Sequence, residues 1–244
     1  MIIRQFNLVY FSLILIMALA IILLSIIYKG KTQRQKDLFI IVIGIFNIVF
    51  FIIYKICLYF DDYEFVIWDE LPLQLCNINM FIIPIAVMLK NKYLLSFGFY
   101  VAPLAAIMAI TFPELDFTNN SIFLMRNIGF YGTHMIIVIM GILLVTFGYL
   151  KPNIKDIGYL VMPAIILSLF AFLINILLFK VTGFETNYFF TMNTANISLL
   201  NIFYNLIPIK YLYLLPAMGI LIAYVLIING CFKLFKKIKY KENL

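Results

Sequence analysis

Charge is what this sequence has least of: 12% of its 244 residues are Asp, Glu, Lys or Arg, 65% are hydrophobic, and the mean hydropathy is +1.08. A soluble domain is nearer a quarter charged, so water is not the main solvent of this chain. Histidine occurs once and tryptophan once. The three cysteines, Cys57, Cys76 and Cys231, form neither a CxxC pair nor a metal-ligand spacing, which excludes a disulfide framework and a Cys/His zinc site. HExxH, GxSxG, DHHC and GxxxxGK[ST] are all missing, so zincin, α/β-hydrolase, palmitoyltransferase and P-loop chemistry lack their required parts. A retinal protein needs a lysine inside the last apolar span, and none lies between Tyr211 and Phe232. The internal repeat of many secondary transporters is also missing.

Long apolar runs are what the chain does have. They cover Phe6 to Tyr28, Leu38 to Phe60, Leu71 to Leu89, Leu94 to Phe112, Ile128 to Leu150, Ile157 to Phe179 and Tyr211 to Phe232. Each has the length, roughly 17 to 25 residues, that crosses a bilayer as a helix. The expectation is an all-α, polytopic membrane protein of seven transmembrane helices, with residues 1–244 as a single domain. The first run exceeds a signal-peptide h-region and no small-x-small cleavage site follows it, so it reads as a retained helix.

The net charge of +7 could suggest a nucleic-acid partner, but its carriers are confined to short loops and the C-terminal tail. Lys29, Lys31, Arg34 and Lys36, then Lys90 and Lys92, then Lys151 and Lys155, and finally Lys233, Lys236, Lys237, Lys239 and Lys241 share one side of the seven-span topology. The other side holds only Arg4, Arg126, Lys180 and Lys210, with Lys55 left inside the second span, together with Asp61, Asp62, Glu64, Asp69, Glu70, Glu114, Asp116 and Glu185. Basic loops stay cytoplasmic, so the N-terminus is expected outside and the C-terminus inside, in the cell membrane, with no nucleic-acid partner. Between Asp61 and Leu71, carboxylates around Tyr63 and Trp68 suit an interfacial segment. Between Lys180 and Lys210 the chain is too long for a simple turn, which predicts an interfacial or re-entrant helix.

Reactive groups inside apolar spans are costly and so worth weighing. They are Lys55, Cys57, Cys76, His134 and several tyrosines. Cys76 and His134 fall at similar depth from the outer side, roughly 8 to 10 Å at a rise of 1.5 Å per residue. Only a thiolate attacks, and a histidine in reach can supply the base. Pro72 fits the first position of a helix, which puts Cys76 near the positive end of the helix dipole and Asn79 on the same face. The plainer readings are a cysteine serving as a small buried hydrophobe and a histidine making an interhelical hydrogen bond. Lys55 reads as a snorkelling side chain reaching Asp61 or Asp62. Cys57 and Cys231 read as packing residues, and Asn47, Asn175 and Asn229 as helix-to-helix hydrogen-bonding residues.

The segment Leu71 to Cys76 (LPLQLC), with Phe81 to Leu89 after it, resembles the LPLHLC signature of the YwaF-type bacterial integral membrane proteins. Tyr131 to His134 looks like that family's second histidine-bearing helix, and Thr186 to Leu200 (TNYFFTMNTANISLL) like the stretch before its last helix. The likeness runs from Asp69 to the end of the seventh span. The family is related to eukaryotic ether-phospholipid acyltransferases, for which a cysteine acyl-thioester is proposed. The resemblance therefore implies Cys76 as acyl acceptor and His134 as its base or acid. Gln74 stands where the family commonly has histidine, and Ile207 to Tyr211 (IPIKY) replaces a Trp-containing turn. If the absent histidine is the base in relatives, this chain binds lipid without turning it over.

The expected function is acyl transfer between membrane phospholipids through a thioester on Cys76 assisted by His134, with Gln74, Asn79, Asn187 and Asn193 holding substrate and with no cofactor or metal. The alternatives are a non-catalytic protein that binds or moves a small apolar or amphiphilic solute, and an assembly partner of another membrane complex.

Overall fold

A computed structural model describes residues 1–61 and 64–241, and side chains through Leu234. Asp62 and Tyr63, both counted in the acidic interfacial segment, lie outside the described residues, as do residues 242–244 and the side chains of Lys236, Lys237, Lys239 and Lys241 in the basic tail. The chain divides into two compact units, Met1–Leu150 and Lys151–Leu244.

The first unit holds α1 (Leu8–Ile27), α2 (Gln33–Tyr59), α3 (Asn79–Leu89), α4 (Lys92–Thr111) and α5 (Met125–Thr146). Its helix starts are written locally. Asn7 accepts from the Tyr10 N–H, Asn91 from those of Tyr93 and Leu94, and Thr32 with Gln35 closes a capping box at α2. A two-residue strand pair, β1 (Ile2–Ile3) with β2 (Asn120–Ser121), ties the N-terminus to the loop before α5. Helix α5 is the hub, packing on α1, α2, α3 and α4. Burial follows that role: 61% of the apolar window is buried in both α4 and α5, against 11% in α1, whose Leu, Ile and Phe side chains mostly face outward. An apolar helix with an apolar exterior needs lipid as its solvent.

Close helix approach within lipid relies on small residues. Gly129 of α5 lies flat against the Tyr54 ring of α2, where an added Cβ would come within 2.2 Å of ring carbons. Gly44 of α2 faces Pro84 of α3 in the same way, at 2.1 Å. Both contacts fix α2 against its neighbours.

The second unit holds α6 (Asp156–Thr182), α7 (Ser198–Leu206) and α8 (Leu215–Lys241). Helix α6 ends at Gly183, whose φ of +74° is the left-handed conformation that stops a helix. The segment beyond it is organised by Asn175, fully buried in α6. Its amide donates to the Tyr188 carbonyl at 3.1 Å and the Thr191 hydroxyl at 2.8 Å, and its oxygen accepts from the Thr186 hydroxyl and the Tyr188 N–H. Asn175 thus holds a loop to its helix, where the sequence suggested a bond between helices. Asn47 does bridge helices, donating to the Thr133 carbonyl of α5 at 3.4 Å.

Among the described residues six helices are long and apolar enough to cross a membrane. The third expected span, Leu71 to Leu89, contains a helix of only 11 residues, and its first half is a run of turns. Polar side chains explain the difference: the Asn79 amide donates to the Leu75 carbonyl at 2.7 Å, and asparagine bonded to nearby backbone competes with the helical ladder. Pro72 therefore does not open a helix, and Cys76 sits in the turns ahead of α3 rather than in its second turn. Between Lys180 and Lys210, where the sequence predicted an interfacial or re-entrant helix, the chain forms the nine-residue helix α7.

Candidate functional site

In the first unit, the end of α2, the turns before α3 and the first half of α5 gather most of the chemistry-bearing side chains. Lys55, near the end of α2, forms an ion pair with Glu70, and its ammonium lies over the rings of Tyr54 at 4.6 Å and Phe51 at 5.2 Å. The pair is largely desolvated, with side-chain exposures of 17% for Lys55 and 8% for Glu70. Lys55 thus reaches Glu70, beyond the acidic turn assigned to it from sequence; Asp61 instead pairs with Arg126 at 3.4 Å. A long-range partner of this kind has no periodic signature, so Glu70 could not be singled out from the sequence.

His134 lies in α5 and is 4% exposed. Its Nδ1 donates to the Phe130 carbonyl one turn back at 2.7 Å, and its ring packs on Phe130, which in turn stacks on Phe117. A carbonyl only accepts, so the proton is on Nδ1 and the Nε2 lone pair is free. That Nε2 is buried without a hydrogen-bond partner. Cys76 is a half-buried free thiol. The Lys55 charge acts on both Cys76 and His134, and on Glu70 and Glu114 as well. No hydrogen bond joins Cys76 and His134: one ring nitrogen is committed to Phe130 and the other has no partner.

Two further carboxylates lie near that of Glu70. Glu114 and Asp69 are exposed residues, yet partial desolvation and the neighbouring Glu70 charge hold both carboxyls above the ordinary carboxylate value; Asp116 adds to the effect on Glu114. Beside the ion pair a groove of about 350 Å³ opens along α2, walled by Ile52, Ile56, Phe65, Leu71 and Pro72.

A protein-family profile described as the TMEM164 family matches residues 3–229. The chain belongs to the TMEM164 family. The match spans nearly the whole sequence and includes Cys76 and His134; it returns TMEM164 in place of the YwaF-type name that the motifs suggested. Neither the curated proteins nor the solved structures contain a match. As a TMEM164 protein the chain is a multi-pass membrane protein.

The remaining residues singled out from the sequence fall in two places of this TMEM164 chain. Gln74 and Asn79 flank Cys76 in the first unit; Gln74 is half-buried, while Asn79 is fully buried with its side-chain oxygen unpartnered. Asn187 and Asn193 lie in the second unit and bond to each other, the Asn187 amide reaching the Asn193 side-chain oxygen at 2.8 Å. The Met192 and Asn193 N–H groups also cap Asn187, so its donors and acceptors serve the loop. Asn193 additionally lines a cavity of about 150 Å³ with Asn175, Thr186, Glu185 and Lys210. Cys57 is half-buried and Cys231 exposed, both free thiols. Among the described residues no group of three or more His, Cys, Asp or Glu is placed to hold a metal ion.

Proposed function

We propose that this protein transfers acyl chains between membrane phospholipids, with Cys76 as the acyl acceptor and His134 as the group that takes and returns its proton. The observation that carries the reading is the His134 ring: its Nδ1–H is committed to Phe130, which leaves a buried, unpartnered Nε2 as a base in the region that also holds the Cys76 thiol. The resemblance to relatives of ether-phospholipid acyltransferases supplies the substrate class.

The chemistry follows from those two groups. Nε2 accepts the thiol proton, and the thiolate attacks the carbonyl carbon of a phospholipid ester. A C–S bond forms, the ester C–O bond breaks, and the departing lysophospholipid oxygen takes the proton back from His134. In the second half a lysophospholipid hydroxyl gives its proton to Nε2 and attacks the thioester, and the thiol is restored. Catalytic hydrogen bonds are often long in a free enzyme and tighten only with substrate in place, so the reading requires Cys76 and Nε2 to approach when lipid binds.

A second reading, a non-catalytic protein that binds an amphiphilic solute, is favoured by the missing Cys76–His134 hydrogen bond and by Gln74 where the YwaF-type family it resembles commonly has histidine. One experiment separates the two. Purified protein incubated with a phospholipid carrying a labelled acyl chain is expected to acquire a hydroxylamine-sensitive label that Cys76→Ser abolishes, and lipid mass spectrometry should show the label on a new phospholipid. Bound but unmodified lipid, unchanged by Cys76→Ser, would establish the binding protein instead.

A further inference from the structure

The groove beside α2 has an exterior made for hydrocarbon and a single charged pair among its lining residues. Ile52 and Ile56 are about half exposed, at 51% and 54%, on a helix long and apolar enough to cross a membrane. An aqueous solute gains nothing from such walls, whereas an acyl chain packs against them by van der Waals contact as it does in the bilayer around them. The charged lining is one ammonium, Lys55, and one carboxylate, Glu70, bonded to each other.

A desolvated ion pair contributes little net stability, because the lost hydration offsets most of the attraction. Exchanging its partners for groups of the same charges therefore costs little. A zwitterionic lipid headgroup offers that exchange: its phosphate replaces Glu70 on the ammonium, and its own ammonium replaces Lys55 on the carboxylate. An anionic headgroup satisfies Lys55 but leaves Glu70 buried and unpaired, beside the additional carboxylates of Glu114 and Asp69. The edge-to-face pair of Tyr59 and Phe65, with centroids 5.5 Å apart, lines the same groove and adds aromatic surface to it.

We infer that this groove is a phospholipid site, in which one acyl chain lies against Ile52, Ile56 and Leu71 while a zwitterionic headgroup opens the Lys55–Glu70 pair, phosphate to Lys55 and ammonium to Glu70. Leu71 and Pro72 of its wall lead directly into the turns that carry Cys76, so the lipid is held next to the thiol. The inference deepens the acyl-transfer reading by naming where its lipid docks, and it rests on that reading only for what happens after binding.

The test uses full-length Cys76→Ala protein in nanodiscs, with phosphatidylcholine and phosphatidylglycerol that carry a diazirine on one acyl chain. Cross-links should map to the peptides around Ile52, Ile56 and Leu71, and phosphatidylcholine should label more strongly. Ile56→Trp, which fills the groove, should suppress this labelling. Glu70→Gln should lower the phosphatidylcholine to phosphatidylglycerol ratio by about tenfold, the weight of one charge-assisted contact. Lys55→Gln should weaken both. Cross-links elsewhere on the chain, or a ratio that Glu70→Gln leaves unchanged, overturn the site. Should the charge variants fail to fold, Ile56→Trp alone decides, since it leaves the ion pair intact. Groove labelling without a thioester on the wild-type protein would keep this site and remove acyl transfer; a thioester with an unlabelled groove would do the reverse.

Discussion

The Nδ1–H of His134 donates to the Phe130 carbonyl at 2.7 Å, and this one bond decides which ring nitrogen can act as a base. Without it either tautomer would be available and Nε2 would be protonated part of the time.

Replacing His134 with alanine is therefore expected to slow acyl transfer by the general-base share, on the order of 10² to 10⁴. The same change should slow modification of Cys76 by a lipid-soluble electrophile while leaving Cys57 unaffected. Mass-spectrometric labelling rates at each cysteine in wild type and His134→Ala measure this; equal rates for Cys76 in both proteins would return it to a packing role.

Glu114 gives a pH prediction with a definite sign. Its carboxyl is held above the ordinary value of 4.5, by partial desolvation first and by Glu70 and Asp116 next, so folding favours the protonated acid. That contribution is fully present below the unfolded value and is lost as pH rises through the folded one. Glu114→Gln removes the repulsion, so it should raise the thermal midpoint in detergent at neutral pH, with the gain shrinking as pH falls through the carboxylate range. A gain independent of pH would assign the effect to something other than charge.

Gly129 cannot carry a side chain without moving Tyr54. Gly129→Ala should cost about 1 to 3 kcal/mol, the usual range for overpacking, and because α5 also carries His134 it should lower transfer activity. Unfolding measured in mixed micelles checks the first effect. Gly158→Ala is the control, since nothing lies within 4 Å of the Cβ it would add.

Topology is a further expectation. A reporter fused after Leu244 should read cytoplasmic, because the Lys-rich tail and the basic loops share one side of the seven-span reading. An extracytoplasmic reading would reverse the orientation and move the Cys76 region to the inner leaflet.

The sequence by itself determined the solvent and the approximate spans. Continuous apolar runs from Phe6, Leu38, Leu94, Ile128, Ile157 and Tyr211 reappear as α1, α2, α4, α5, α6 and α8, since a stretch that long with so little charge has a helix in lipid as its stable form. It also singled out Cys76 and His134, because ionisable and nucleophilic groups stand out in an apolar background. It misjudged the chain around Cys76: hydropathy averages over the window from Leu71 to Leu89 and does not register local bonding such as that of the Asn79 amide to the Leu75 carbonyl. Only the tertiary structure decided that Lys55 pairs with Glu70, that His134 keeps Nε2 free, and that Asn187 and Asn193 secure a loop. Those outcomes depend on which side chains meet across distant segments, and a one-dimensional pattern carries periodicity and charge but no distances between elements.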